Sequence, residues 1–182
     1  MIRRLIIGTV LVSVTATGAA ACGGDGGGGG GGKTKPEVAW AGRVCDGVTA
    51  GGAGLSFPKL DPKDEAKSAK AIAGFLDSMD RHLKALETQV RDAGAPPVGG
   101  GQAALDSALA NLRETRQAVR LASARITKAE VTDAKSYKAA LGEAGQAMRK
   151  VQTYQGPTKD LRADPALAKA FDQANSCRTH QL

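Results

Sequence analysis

The sequence predicts an all-α fold, namely an antiparallel, four-helix-bundle-like domain of three long helices and two short terminal helices. The chain has 182 residues, of which 42% are hydrophobic but only 3% aromatic, so alanine and aliphatic side chains must form its core. Alanine is the best helix former and a poor strand former. Apolar residues recur in steps of three and four, and no stretch alternates in the manner of a strand rich in Val, Ile and Thr.

Residues 1–21 have the layout of an export signal. Arg3 and Arg4 precede an apolar run from Leu5 to Val14, and small residues continue to Ala21. A charged start, a short apolar stretch and a small-residue exit are the three parts of such a signal. The apolar run is too short for a transmembrane helix, which needs about 20 residues. The two adjacent arginines leave a twin-arginine export route open.

The sequence GAAAC at residues 18–22 resembles the lipobox of bacterial lipoproteins. The resemblance implies that the chain is cut before Cys22, that Cys22 carries a diacylglycerol thioether, and that the lipid holds the protein on the outer face of the cell membrane. Ala19 departs from the family pattern, which usually has leucine there. Because Ala19 and Ala21 also suit ordinary signal peptidase, a secreted protein is the alternative. The composition and layout resemble the small secreted lipoproteins of high-GC Gram-positive bacteria.

The number of cysteines agrees with this resemblance. The three cysteines are Cys22, Cys45 and Cys177, and an exported protein meets an oxidising compartment in which thiols pair. If Cys22 carries lipid, only the Cys45–Cys177 bridge is possible. Such a bridge would be structural and would stabilise the fold by about 4–5 kcal/mol. The alternative is three unrelated thiols.

A linker is predicted between the signal and the folded domain. Residues 22–36 hold Cys22 and a tract that is almost entirely glycine. Glycine offers no side chain to a core and loses the most freedom on ordering, so the tract is expected to be a flexible tether. Residues 37–182 are then the helical domain, which is long enough for one core.

Turn and capping signals divide this domain into five predicted helices. Asp61-Pro62 and Asp164-Pro165 each indicate an N-cap followed by proline in the first turn, and Thr132-Asp133 indicates a further start. Gly94 before two prolines and Gly156-Pro157 each indicate a helix end. The predicted helices span residues 37–49, 62–93, 102–130, 133–155 and 165–178.

Each predicted helix carries an apolar stripe, and these stripes define the bundle. The spacing of three and four is typical of helices that pack lengthwise at a shallow angle. The short first and last helices are expected to pack together as the fourth position of the bundle. The stripe residues are Val38, Ala41, Cys45 and Val48; Ala69, Ile72, Leu76, Met79, Leu83, Leu86 and Val90; Leu105, Ala108, Leu112, Thr115, Val119, Ala122, Ile126 and Ala129; Tyr137, Leu141, Ala144, Met148, Val151 and Tyr154; and Leu167, Phe171, Ala174 and Cys177.

The sequence offers no recognisable catalytic or metal-binding set. Met79 with His82 could bind copper, but Met79 belongs to a core stripe, and a half-exposed helix histidine explains His82 better. Cys177 with His180 has a zinc-like spacing that nothing nearby completes. The motifs H-E-x-x-H and G-x-S-x-G and a phosphate-binding loop are absent from the sequence. We therefore predict no catalytic residue, no resident metal and no cofactor.

Positive charge is the one surface feature that suggests a partner. The chain carries a formal charge of +7, which falls to +5 when Arg3 and Arg4 leave with the signal. Arg113, Arg116 and Arg120 fall on one side of the third helix and could rest on anionic lipid or cell-wall polymer. The alternative is a solvated face with interspersed acids. Nucleic-acid binding is not expected, because an exported protein with few aromatic residues lacks the means to stack bases.

Two classes of function remain open at this stage. The first is a non-enzymatic module that binds a protein or another component of the cell envelope. The second is a carrier of a small ligand or metal, with space left by Gly142, Ala144 and Gly145 beside Tyr137 and Met148. The alternative for these small residues is close helix packing. An enzyme is the third and least supported possibility.

Overall fold

The computed structural model describes residues 33–52 and 55–179, which contain α-helices and no β-strand. The predicted all-α class is therefore confirmed. The predicted signal, Cys22, most of the linker and His180 lie outside the described residues. The described helices are α1 (Pro36–Gly52), α2 (Glu65–Asp92), α3 (Gly101–Lys128), α4 (Ala134–Met148), α5 (Pro157–Leu161), α6 (Pro165–Gln173) and α7 (Asn175–Thr179), with a 3-10 turn at Arg149–Val151. None of them is long and apolar enough to cross a membrane.

The starts of α2 and α6 show how the capping signals work. Asp164 caps α6 as predicted, because its carboxylate accepts from the backbone N–H groups of Ala166 and Leu167 at 2.8 and 3.0 Å. The predicted start of α2 at Asp61-Pro62 is wrong. Asp64 is the N-cap, and its carboxylate accepts from Lys67 N–H at 2.8 Å. Asp61 instead forms the preceding turn and exchanges hydrogen bonds with the Ser68 hydroxyl at 2.9 Å.

The predicted helix over 133–155 is too long at its C-terminal end. Asp133 and Ser136 form a capping box at its start, but α4 ends at Met148 and a 3-10 turn follows. Gly156, predicted to end this helix, instead precedes α5 with a φ of +94°, and Pro157 occupies the first turn of α5. Glycine reaches this left-handed region without strain, and proline lacks only an N–H that the first turn does not need. The turn and α5 thus form a separate segment that packs against α3.

The predicted last helix, 165–178, is two helices. Ala174 has an extended backbone, with ψ at 123°, and separates α6 from α7. Its N–H still donates to the carbonyl of Ala170 at 3.0 Å, so α6 ends with its final hydrogen bond intact. The break gives Cys177 its own short helix. Ala174 and Cys177 remain buried, as the predicted stripe requires.

The two ends of the domain share one apolar cluster, called here the terminal cluster. Trp40 is 1% exposed and is the largest of its fully buried side chains, although it lies off the predicted stripe. Its indole N–H donates to the carbonyls of Ala93 and Gly94, both at 3.0 Å, in the turn that follows α2. Its ring meets that of Phe171 edge to face at 6.0 Å. The members of the terminal cluster are Trp40, Ala41, Val44, Cys45, Ala108, Leu161, Leu167, Ala170, Phe171, Ala174 and Cys177.

A disulfide lies within the terminal cluster. Cys45 of α1 and Cys177 of α7 have their sulfurs 2.10 Å apart and their Cα atoms 5.2 Å apart. The predicted pairing of these two cysteines is therefore confirmed. The bond joins residues 132 positions apart, so it encloses nearly all of the described chain.

The long helices α2 and α3 are joined by apolar contacts and by an ion-pair network. Arg116 is 14% exposed, and its guanidinium contacts Glu87 at 2.7 Å and Asp80 at 3.1 Å. Arg113 contacts the other oxygen of Glu87 at 2.8 Å. Burial acts to raise the pKa of Glu87, but the hydrogen bonds and charges of the two arginines outweigh it and hold that pKa below its ordinary value. The same contacts raise the pKa of Arg116 against the opposing effect of burial.

Loss of the disulfide should destabilise the domain strongly. Replacing Cys45 and Cys177 together by serine releases a loop of more than 100 residues in the unfolded chain, so the free energy of unfolding should fall by about 4–5 kcal/mol. Urea unfolding followed by circular dichroism measures this change. Cys22→Ser, which leaves the bridge intact, is the matched control. A loss below about 1 kcal/mol would contradict a stabilising role for the bridge.

Glu87→Gln should lower the free energy of unfolding at pH 7 by about 2 kcal/mol, because two charge-assisted hydrogen bonds are weakened. The lowered pKa means that the carboxylate stabilises the fold above its ordinary pKa of 4.5 and that this contribution is lost as pH falls through the folded value. The variant and the native protein should therefore converge in acid. Urea unfolding at several pH values tests this. The control is Asp92→Asn, which removes an exposed ion pair with Arg91 and should change the free energy of unfolding little. If the stability of both variants depended on pH in the same way, the role of Glu87 would be refuted.

Candidate functional site

A polar cleft lies where the segment after α4 packs against α3. Its volume is about 410 Å³. Helix α3 contributes Asn111, Glu114 and Thr115 to its lining. The 3-10 turn, the following loop and α5 contribute the other lining residues. The remaining lining residues are Lys150, Val151, Thr153, Tyr154, Gln155, Lys159 and Asp160. Val151 is the one aliphatic residue among them, so the cleft is suited to a polar ligand.

Buried neighbours hold the outer wall of this cleft in place. Val151 is buried at the end of the 3-10 turn, and Pro157 is buried at the start of α5. Leu161, next to Asp160, is fully buried in the terminal cluster. Because these three apolar side chains fix the segment on both sides of the polar residues, Tyr154 and Asp160 are held at the cleft by packing.

Two polar atoms of the cleft are buried and have no hydrogen-bond partner among the described residues. They are the hydroxyl oxygen of Tyr154 and the Oδ2 atom of Asp160. Most buried polar atoms in folded proteins are paired, and leaving one unpaired costs about 1–3 kcal/mol. The two atoms therefore mark a local cost in stability beside the cleft, and a third atom of the same kind, Gln89 Oε1, lies on α2 away from it.

The pKa values of both groups are raised. Burial is the main cause for Tyr154, and the negative charge of Asp160 adds to it. Burial also raises the pKa of Asp160, while a hydrogen bond from the Asn111 side chain acts in the opposite direction. Tyr154 therefore remains a neutral hydroxyl at physiological pH, able to donate as well as accept. Asp160 is a carboxyl group whose negative charge is only partly compensated by its surroundings.

The charged groups of the cleft balance one another. Glu114 and Asp160 are acidic, and Lys150 and Lys159 are basic. None of the four takes part in an ion pair between described residues. The cleft therefore offers both signs of charge without a strong net preference for either.

The three arginines predicted to meet an anionic surface have different environments. Arg116 is engaged by Glu87 and Asp80, and Arg113 reaches Glu87 while its side chain remains 56% exposed. Arg120 is exposed, and no ion pair with another described residue involves it. Arg116 thus joins α2 to α3, and contact with an anionic surface stays a prediction for the exposed pair, Arg113 and Arg120.

The residues considered for metal binding do not converge within the described chain. Met79 packs against the apolar cluster between α2, α3 and α4, and His82 is half-buried on α2. Cys177 is in the disulfide. Across residues 33–52 and 55–179, no group of three or more His, Cys, Asp or Glu side chains is placed to hold a metal ion.

The small residues of α4 do not form the predicted ligand space. Gly142 and Gly145 are exposed, and a Cβ atom added to either would meet nothing within 4 Å. Ala144 is buried in one cluster with Tyr137 and Met148. The glycines therefore lie on the outer side of α4, and the polar cleft begins only after this helix has ended. The sequence predicted Tyr154 on an apolar stripe and no role for Asp160, because no motif distinguishes either residue.

Comparison of the chain with protein-family models, with curated proteins and with solved structures finds no match.

Tyr154→Phe should raise the free energy of unfolding of the protein by about 1 kcal/mol, because it removes a buried hydroxyl that no described residue satisfies. Urea unfolding at pH 7 measures the change. Tyr137→Phe is the matched control, since the Tyr137 hydroxyl is not among the buried unpaired atoms. Destabilisation by Tyr154→Phe beyond that of the control would show that the hydroxyl is already well bonded in the folded protein.

Proposed function

We propose that the protein is a lipid-anchored, non-catalytic binding module of the cell envelope, and that its helical domain takes a small ligand in the polar cleft. The observation that carries the binding function is the cleft itself, whose exposed side chains Glu114, Lys150 and Lys159 take part in no ion pair between described residues. The anchor is supported by the lipobox-like sequence that ends at Cys22. The cleft favours the small-ligand form of this function over a metal carrier, because its lining supplies hydrogen-bonding groups but no cluster of metal ligands among the described residues.

The tether and the domain have separate roles in this proposal. Lipid on Cys22 would keep the protein at the membrane, and the glycine tract after it would let the domain reach ligands at a distance from the bilayer. Such an arrangement raises the local concentration of the binding site at the cell surface without restricting its orientation.

The proposal includes an antiparallel, bundle-like course for the long helices. The order of side-chain contacts between α2 and α3 supports this. Ser123, late in α3, donates to Asp77 at 2.6 Å, whereas Arg113, earlier in α3, contacts Glu87, which is later in α2. Partners that occur in opposite order along two helices are those of antiparallel neighbours.

The anchor is tested by Cys22→Ser in the full chain. The native protein should sediment with membranes and incorporate an alkyne-labelled fatty acid, and the variant should do neither. Replacement of Cys45 and Cys177 by serine is the control, because it should leave the label in place in whatever protein accumulates. Continued membrane association and labelling of Cys22→Ser would refute the lipid anchor.

A further inference from the structure

We propose that the loop at residues 55–60, called here the apolar loop, inserts its side chains into the surface of the lipid bilayer and seats the helical domain on the membrane. This inference goes beyond the binding function of the cleft. It rests on the proposed lipid anchor at Cys22, which would keep the loop within reach of the bilayer. The partner is the bilayer itself, at the boundary between its headgroups and its acyl chains.

Exposed apolar side chains are concentrated in the apolar loop. Among the described residues, the exposed large hydrophobic side chains are Leu55, Phe57, Leu60 and Leu121, and the first three of them lie in this loop. Phe57 is the most exposed of the four, at 64%. Apolar residues scattered singly are normal on a protein surface, whereas a group of them marks contact with a partner or a membrane. The apolar loop is therefore a contact site by its composition.

Contacts with α2 hold the apolar loop in this exposed position. The ring of Phe57 meets that of Phe75 on α2 edge to face, with the ring centroids 5.4 Å apart. Just after the loop, the backbone N–H of Asp61 donates to the Ser68 hydroxyl, and that hydroxyl donates to the Asp61 carbonyl, both at 2.9 Å. Pro58 restricts the backbone between these two contacts. The loop is thus fixed to the domain while its apolar side chains remain exposed.

The charges around the apolar loop balance one another. Residues 55–67 carry no net charge, because three lysines match three acids, namely Lys59, Lys63 and Lys67 with Asp61, Asp64 and Glu65. Asp61 pairs with Lys67 at 3.4 Å, and Asp64 caps α2. Lys59 and Lys63 are exposed, and a lysine can lay its stem along apolar surface while its ammonium group stays among polar headgroups. Apolar insertion would therefore carry the contact, and a zwitterionic bilayer would support it without anionic lipid.

The small size of the apolar loop favours a bilayer over a second protein. A stable protein interface buries about 800 Å² and about 20–30 residues on each side. The fourth exposed side chain, Leu121, does not enlarge the apolar loop, because it lines a groove between α3 and α4 to which no loop residue contributes. Insertion into a bilayer needs no minimum area, since each apolar side chain that leaves water contributes separately.

The predicted tether is long enough for this contact. About 14 residues separate Cys22 from Pro36, where α1 begins, and an extended chain of that length reaches up to about 46–50 Å. The apolar loop follows the other end of α1, whose 17 residues make a helix about 26 Å long. Cys22 and the apolar loop can therefore meet the same bilayer surface. The tether alone leaves the domain free to turn, and the loop would select one orientation while it is inserted.

Tryptophan fluorescence of the full-length, lipidated protein tests the inference. The protein is reconstituted on dioleoylphosphatidylcholine vesicles with and without phosphatidylcholine brominated in its acyl chains, which quenches tryptophan on contact. Phe57→Trp and Leu60→Trp should each lose about half of the emission that they add, because an interfacial side chain lies about 5–10 Å deep. The native protein, whose Trp40 is 1% exposed, supplies the background. Leu121→Trp is the matched control and should not be quenched.

The outcomes separate the loop contact from the lipid anchor. Protein that floats with the vesicles while neither loop variant is quenched would overturn the loop contact and leave the anchor in place, as would equal quenching of Leu121→Trp. Native protein that does not float would overturn the anchor and the loop contact with it. If Phe57→Ser dissociates a dimer in sedimentation velocity in detergent, a second copy covers the loop and the bilayer assignment is wrong. Unchanged circular dichroism shows that the variants remain folded.

Discussion

The interaction on which the rest of the domain depends is the closure of its two ends against each other. Trp40 of α1 packs against α6 near the end of α2. Its indole N–H donates to two carbonyls in the turn that follows α2. The Cys45–Cys177 bond fastens the same contact covalently. A chain that is only 3% aromatic has few large side chains with which to fill a core. Two of its six aromatic residues, Trp40 and Phe171, meet here. The guanidinium carbon of Arg162 lies over the Phe171 ring, 5.3 Å from its centroid.

This closure also determines the geometry of the cleft. Leu161 belongs to the terminal cluster, so the position of α5 across α3 follows from the packing of the chain ends. Asp160 precedes Leu161 directly and is held where its carboxyl group is half-buried. The domain thus combines a stabilised framework with a local cost, the two unpaired polar atoms. Such a cost is commonly found where a protein binds something, because groups used for binding are not free to satisfy one another.

The sequence predicted the features that depend on local or periodic signals. The all-α class, the cap at Asp164, the start of α4 and most of the buried stripe positions follow from spacing and capping chemistry. Other features depend on contacts between distant residues and leave no local pattern. Trp40 packs off its stripe, and its indole N–H donates to two carbonyls 53 and 54 residues away. In the sequence, nothing distinguishes Asp160 from an exposed helix aspartate, and only the packing of α5 against α3 buries it in part. The Gly156-Pro157 signal is compatible with a helix end as well as with a helix start.

The central claim is that packing at the chain ends holds Tyr154 and Asp160 beside the cleft and leaves the Tyr154 hydroxyl and Asp160 Oδ2 without a hydrogen-bond partner from the protein. A high-resolution crystal structure of the protein tests it most directly. In that structure, no protein donor or acceptor should lie within hydrogen-bonding distance of the Tyr154 hydroxyl or of Asp160 Oδ2. A Tyr154 hydroxyl that donates to a backbone carbonyl or to the Asp160 carboxylate would contradict this account, because the buried hydroxyl would then be satisfied within the protein.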